Sequence, residues 1–306
     1  MRGVQIAELG ATPELAEIDG DGSVAILAVG LNPLDLAVAA GRFYGGHPPF
    51  PYVPGCEAVG RIDGQRVHLF GDGRGTIKDG FLVERVTFPE QLVVPVPDGL
   101  DDAAAAVCGI AGIAGWGPVA RRAPVRPDDR VLVLAATGTV GSIALQGARA
   151  LGAARVVAAG RDETALERTL ELGADATVAL EGSDLAARMR EACGGDGPTL
   201  VVDPLWGEPA RAATEAAAPE ARIVQLGQSA GPEATFASSI VRGKQLSILG
   251  YSVFGLPPQE RREAYLGLAE QVVAGRISID VETFSLDQVA AAWSAQASGA
   301  KVVVVL

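Results

Sequence analysis

One stretch constrains the fold before any other: residues 130–251 alternate apolar strand-like runs with helical patterns. Arg130–Ala136 is apolar almost without a break. It passes through a short turn into a helix pattern from Gly141 to Leu151, which Gly152 ends. Arg155–Ala159 reads as the next strand. Asp162 can cap a helix carrying Leu166, Leu170 and Leu172, which Gly173 terminates. The alternation continues with strand Ala176–Leu180, a helix opened by Ser183 or Asp184 and running to Cys193, and strand Thr199–Asp203. An Ala-rich helix near 208–217 and strands Arg222–Gly227 and Leu246–Gly250 complete it. Strands joined through crossover helices must run parallel, and strands this apolar are covered on both faces. The fold class is therefore α/β, with a doubly wound parallel sheet over about 119–251.

The flanking texture is different. Residues 1–118 are rich in Pro and Gly and carry short β-type runs at Val4–Leu9, Val24–Asn32, Cys56–Ile62, Arg66–Phe70 and Phe81–Phe88. Asp63-Gly64 and Gly71-Asp72-Gly73 punctuate them, as expected of an antiparallel, barrel-like unit. Residues 48–55 hold several prolines and read as an ordered extended loop. After 251 the texture is mixed. A helix over 258–274 presents Tyr265, Leu268, Ala269 and Val272 on one face. Ser285 and Gln288 form a capping box for a helix with Leu286, Val289, Ala290 and Trp293, and Lys301–Leu306 is a last strand. Residues 252–306 are expected to complete the N-terminal unit.

The turn after the first parallel strand is a candidate dinucleotide site, formed by Ala136, Thr137, Gly138, Thr139, Val140 and Gly141. Gly138 would let backbone amides approach a diphosphate, and Gly141 would let helix pack on strand. The helix N-terminus supplies partial positive charge. Ala136 stands where a GxGxxG pattern has its first glycine. About 20 residues on, an NAD site usually carries an acid for the ribose 2′-hydroxyl. Here Gly160-Arg161 offers no anion, and a planar cation suits a 2′-phosphate. The charge pattern favours NADPH, although Asp162 follows and leaves NAD open.

Other totals narrow the partners. The 306 residues carry a formal net charge of −12, which disfavours nucleic acid or an anionic membrane as a partner. No apolar run reaches the roughly 20 residues of a membrane span, and the N-terminus lacks a signal-peptide core, so a cytoplasmic protein is expected. Cys56, Cys108 and Cys193 lie far apart with no CxxC pair, so no Cys-rich zinc lobe is encoded.

The runs LNPLDLAVAAGRFYG (31–45), PYVPGCEAVGRI (51–62), ATGTVGSIALQGARALGA (136–153), ELGAD (171–175), VVDPLWG (201–207), RIVQLG (222–227) and GAKVVVVL (299–306) resemble the medium-chain dehydrogenase/reductase superfamily. Within it, the chain looks like the zinc-independent quinone oxidoreductase branch. The resemblance spans nearly the whole chain in order. It implies a GroES-like β-barrel catalytic domain (1–118, completed by 252–306), a Rossmann domain (119–251) with a cleft between them, and a homodimer. The zinc-dependent members use an early Cys and a Gly-His-Glu. Here the loop reads Asn32-Pro33-Leu34-Asp35, and Cys56 stands in the His position of Gly55-Cys56-Glu57. No metal is expected.

Without a metal, the protein must position an acceptor and supply a proton while the nicotinamide supplies hydride. The resemblance points to Tyr44 as proton donor or substrate contact, against the alternative of an exposed loop tyrosine. It places Asn32 near the nicotinamide, against a turn former before Pro33. Loops at the carboxyl ends of the strands add Asp203, Gly227, Gln228 and Ser229, and Lys244 is a candidate for the cofactor phosphate. Trp206 and Phe254 either flank the substrate or fill the core. The expected activity is reduction of a small quinone or α,β-unsaturated carbonyl compound. The alternatives are an enoyl reductase of polyketide or fatty-acyl metabolism and a non-catalytic NADPH-binding sensor.

Overall fold

The Pro- and Gly-rich N-terminal third pairs as antiparallel strands. The structure, a computed structural model, describes residues 1–306. β1 (Arg2–Gln5) pairs with β2 (Glu14–Glu17). β3 (Val24–Gly30) leads into helix α1 (Pro33–Ala39) and lies beside β4 (Glu57–Ile62). β4 turns through Asp63 and Gly64, at φ 47° and 83°, into β5 (Gln65–Phe70). Left-handed backbone at both positions lets a two-residue hairpin follow the strand twist. β6 (Arg85–Val86) pairs with β3, and β7 (Val93–Pro95) pairs with β5. Helix α2 (Asp102–Val107) follows, capped by Asp101, whose carboxylate accepts from Ala104 N.

The parallel sheet comes next. Helix α3 (Ile110–Gly117) runs into a π-helical turn and then β8 (Arg130–Leu134), α4 (Thr139–Ala150), β9 (Arg155–Gly160) and α5 (Glu163–Glu171). β10 (Ala176–Ala179), α6 (Leu185–Cys193), β11 (Leu200–Asp203) and α7 (Gly207–Ala216) continue the alternation. It ends with β12 (Arg222–Gln225), α8 (Ser238–Gly243) and β13 (Ser247–Gly250). All six strands run parallel in the order β10-β9-β8-β11-β12-β13. The order reverses between β8 and β11. Right-handed crossovers therefore put helices on opposite faces of the two halves. Leu132, Leu134, Val157, Val201, Met189 and Ile223 fill the interior on one side.

The tail returns to the first sheet. α9 (Pro258–Val273), β14 (Glu282–Ser285), α10 (Val289–Ala297) and β15 (Val302–Val305) follow in turn. β15 pairs antiparallel with β3 and parallel with β14, giving a seven-stranded sheet in the order β14-β15-β3-β4-β5-β7, with β6 on β3. Val29, Leu31, Phe81, Leu82, Val302 and Val304 share its core. The capping box is present, with Ser285 N donating to Gln288 Oε1 at 3.0 Å, and it starts a 3-10 turn that leads into α10.

Two compact units result: residues 1–111, Pro257–Val273 and Ile279–Leu306 form the first, and Gly112–Leu256 with Ala274–Ser278 the second. The first boundary falls at 111/112 rather than at 118/119 because α3 packs on α4. A Cβ on Gly115 would lie 2.5 Å from Val140 O, and one on Gly147 would lie 3.1 Å from the Trp116 ring. The expected strand Phe81–Phe88 shrinks to Arg85–Val86. Phe81 and Leu82 are buried, but their amides bond to Gly55 O and Pro54 O in an irregular loop.

Candidate functional site

In the second unit, the expected cofactor residues other than Lys244 gather at the carboxyl ends of the parallel strands. Ala136 is buried, and its N–H is used by Ala159 O at 2.9 Å, so it serves the fold. The left-handed residue of the turn is its neighbour Ala135, at φ 50°. Thr137 and Gly138 are exposed, and Thr139 and Val140 half-buried. Gly138 caps α4 at φ −87°, and a Cβ there would meet only Ala135 O, at 3.7 Å. Neither backbone nor packing demands a glycine at this point. Gly141 differs, because a Cβ would lie 2.2 Å from Ala135 O. The first intrahelical bond runs from Ser142 N to Gly138 O, which leaves the amides of Thr139, Val140 and Gly141 without helical partners.

Gly160 ends β9 beside Thr137; a Cβ on it would lie 3.2 Å from Thr137 Cγ2. Arg161 is exposed, and the Asp162 carboxylate is turned to the α5 cap, accepting from Ala165 N at 3.0 Å. Asp203 is buried. Its Oδ1 accepts the N–H groups of Leu205 and Trp206, both at 2.9 Å, while Oδ2 has no partner, and burial pushes its carboxyl up from the ordinary range. It braces the loop after β11. That loop is laced to the one after β12: Ala230 N donates to Leu205 O at 2.8 Å and Ser229 Oγ to Pro204 O at 3.3 Å. A Cβ on Gly227 would lie 2.4 Å from Pro204 O, so glycine permits the approach. Gln228 is exposed beside it.

Lys244 is a correction. It precedes β13, at the amino end of the strands, and its Nζ donates to Glu215 O and Ala217 O at 2.7 and 2.6 Å. It closes the carboxyl end of α7, at the edge of the sheet away from Gly138, and cannot serve a cofactor phosphate there.

In the first unit, Tyr44 is 90% exposed and leans on Phe43, with ring centroids 4.6 Å apart. His47 bonds only locally, to Pro48 O at 2.7 Å. Asn32 is buried with its amide fully engaged. Nδ2 donates to Gly30 O at 3.1 Å and to Glu57 Oε1 at 2.8 Å, and Oδ1 accepts from Lys301 Nζ at 2.9 Å. It also caps α1, in a box closed by Asn32 N donating to Asp35 Oδ2 at 2.7 Å.

Around it lies a buried polar cluster. Lys301 Nζ also donates to Leu31 O at 2.6 Å, and Ile110 N donates to Glu57 Oε2. His68 Nε2 stands 3.4 Å from Glu57 Oε2, with its ring stacked on Tyr265. Burial raises the Asp35 carboxyl to about 6 against the hydrogen bond from Cys56, and it pushes the Cys56 thiol well up. Burial also lowers the Lys301 ammonium against the pull of Glu57 and Asp35. Sequence reasoning missed Lys301 and His68. The only local trace of Lys301 is a single charge opening an otherwise apolar strand.

Residues 139–271 match the family described as zinc-binding dehydrogenase. The chain is similar to a phenolphthiocerol/phthiocerol polyketide synthase of Mycobacterium tuberculosis, 29% identical over 296 residues, which is 90% of this chain but 13% of that protein. Among solved structures, an NAD-dependent alcohol dehydrogenase superposes with TM-score 0.85 at 26% identity, each chain covered completely. The quinone oxidoreductase of Thermus thermophilus, solved alone and with NADPH, gives TM-score 0.80 at 28% identity, again over all of both chains.

The family description raises a zinc ion, and the side chains at hand do not fit one. No three His, Cys, Asp or Glu groups are gathered as a donor set. The nearest acids already enclose the Lys301 ammonium, and the Cys56 thiol is held protonated. A divalent cation would be repelled by Lys301 and lacks a thiolate. A nicotinamide nucleotide does fit. The open space over Gly138, the unpaired first-turn amides of α4 and the exposed Arg161 are the features a diphosphate and a ribose phosphate require. No helix is long and apolar enough to cross a membrane.

Proposed function

We propose that the chain is a member of the medium-chain dehydrogenase/reductase superfamily, as the match of residues 139–271 to zinc-binding dehydrogenases supports, and that it is an NADPH-dependent reductase of quinones or other α,β-unsaturated carbonyl compounds that works without a metal. The observation that carries this reading is the bare turn at Gly138, where a glycine is kept although the protein leaves room for a side chain. Thr137 to Gly141 would hold the diphosphate and Arg161 the 2′-phosphate. Gly160 would leave room beside the ribose, with Gly227, Gln228 and Ser229 at the nicotinamide end. The dihydronicotinamide supplies a hydride when bound. The acceptor takes up that hydride and one proton, so a quinone leaves as hydroquinone.

Tyr44, exposed on its loop, is the proposed proton donor to the acceptor oxygen. Asn32 is assigned a positioning role, because its amide is already committed on every side. Asp203 likewise supports the cofactor loops rather than touching the nucleotide. Residues 1–111 with the C-terminal segments are proposed as the catalytic domain, and 112–256 as the cofactor domain. The edge strand β13, with Ile248 40% exposed, supports pairing with a second copy in a homodimer. A cytoplasmic location is proposed with it. A second reading, an enoyl reductase of acyl-chain synthesis, is favoured by the similarity to the polyketide synthase over 90% of the chain.

Titration calorimetry with NADPH tests the cofactor, and absence of binding would end the assignment. NADPH oxidation against 1,4-benzoquinone, a 2-alkenal and an enoyl thioester separates the two substrate readings. Tyr44→Phe should lower turnover and leave NADPH affinity unchanged.

A further inference from the structure

Strand order reverses between β8 and β11, and in an open parallel sheet ligands settle in the crevice between the loops leaving those two strands. One lip is the turn at Ala135–Val140. The other is Pro204–Gly207, and it holds a backbone conformation rare for a bulky residue. Trp206 sits at φ 60°, ψ −158°, a region that is essentially reserved for glycine. Any residue with a Cβ is strained there, and a bulky one is an outlier.

The neighbours force the conformation. Asp203 Oδ1 takes the N–H groups of both Leu205 and Trp206, and Ala230 N holds Leu205 O. Gly207 follows, also at φ 60°, where a Cβ would lie 2.9 Å from Ala230 O. A glycine at 206 would meet every one of these backbone demands without strain. Core packing does not explain the tryptophan either, because its indole is only half-buried. One side of it is supported edge-on by Phe236, with centroids 5.1 Å apart and planes at 68°. The strained loop keeps an aromatic plate at the mouth of the crevice, with a second ring behind it.

We propose that Trp206 is a specificity-determining residue, its indole forming the flat wall against which a planar conjugated ring is held beside the cofactor. The proposal rests on the reductase reading above and sharpens it: ring quinones are preferred over small open-chain enals. A flat ring gains offset stacking on the indole that a three-carbon enal cannot.

Two variants and one spectroscopic measurement test it. Trp206→Gly should melt no lower than the parent, because the backbone strain is relieved. It should lower kcat/KM for 1,4-naphthoquinone about tenfold, the size of one aromatic contact, while acrolein reduction barely changes. Trp206→Phe should restore most of the preference. An equal loss for both acceptors, or a lowered melting point with the preference intact, would make Trp206 a packing residue and overturn the proposal. With 5-fluorotryptophan in place of the three tryptophans, the signal assigned by Trp206→Phe should move when 2-methyl-1,4-naphthoquinone is added to NADP⁺-loaded protein. If the parent reduces neither acceptor, the reductase reading fails, and this signal alone decides the inference: a shift supports the wall, and a stationary signal overturns it.

Discussion

In the first unit a cluster of ionisable groups lies inside. Asp35, Glu57, His68 and Lys301 are all buried, together with Asn32. In the second unit β8, β9 and β11 are apolar along their lengths, and polarity collects at the strand ends, with Asp129 at one and Asp203 at the other. The sealed polar cluster bonds mainly to itself, with Asp35 Oδ1 and His68 Nε2 left without hydrogen-bond partners; groups at a sheet rim keep one side open. The difference separates architecture from binding site, and it separates the two kinds of damage that substitutions should cause.

The largest effect is expected inside the first unit. Lys301→Met removes the only ammonium facing Asn32, Asp35 and Glu57, so denaturant unfolding should show a loss of about 3–5 kcal/mol, the cost of stranding a buried charge. Adding Glu57→Gln should recover part of it. At the rim, two glycines three residues apart should part company. Gly141→Ala drives a Cβ into Ala135 O, for a loss of about 1–3 kcal/mol. Gly138→Ala should leave stability within about 0.5 kcal/mol and weaken NADPH about tenfold or more by calorimetry. An unaffected NADPH affinity in Gly138→Ala would remove the contrast between rim and interior.

Next comes Arg161→Ala, which should weaken NADPH about tenfold, as expected for one charge-assisted contact, and leave NADH nearly unchanged. Equal losses would take away the preference. The smallest effect is a slope. Burial raises the Asp35 carboxyl from 3.8 to about 6. Between those values the folded form holds a proton that the unfolded chain has released, so stability falls as pH rises across the window and levels off above it. In Asp35→Asn, unfolding free energy should be flatter over the same range. An identical slope would show that Asp35 is not the group responsible.

The parallel sheet was legible because its strands are buried on both faces and therefore apolar without interruption, as in Arg155–Gly160. The turn proposed for the cofactor was visible for a related reason, since a strand running into a glycine-bearing helix start is a local pattern. Short helices were not. α1 hides behind Asn32-Pro33, which reads as a turn until the Asp35 carboxylate is seen to accept the Asn32 amide. Lys244 was misplaced although the sequence held the answer: strands read as parallel all begin at the end of the sheet opposite the glycine turn, and Lys244 precedes its strand. Lys301 could not be read at all. Its partners lie some 270 residues away, and no local pattern marks a lysine for burial.

That separation has a consequence for how the chain is made. Strand β15 and the ammonium that quiets Glu57 are translated some 270 residues after Leu31 and Asn32, whereas 112–256 is nearly contiguous. On the ribosome the parallel sheet can close while residues 1–111 still wait for their counter-charge, so that segment finishes folding after a sheet that follows it in the chain.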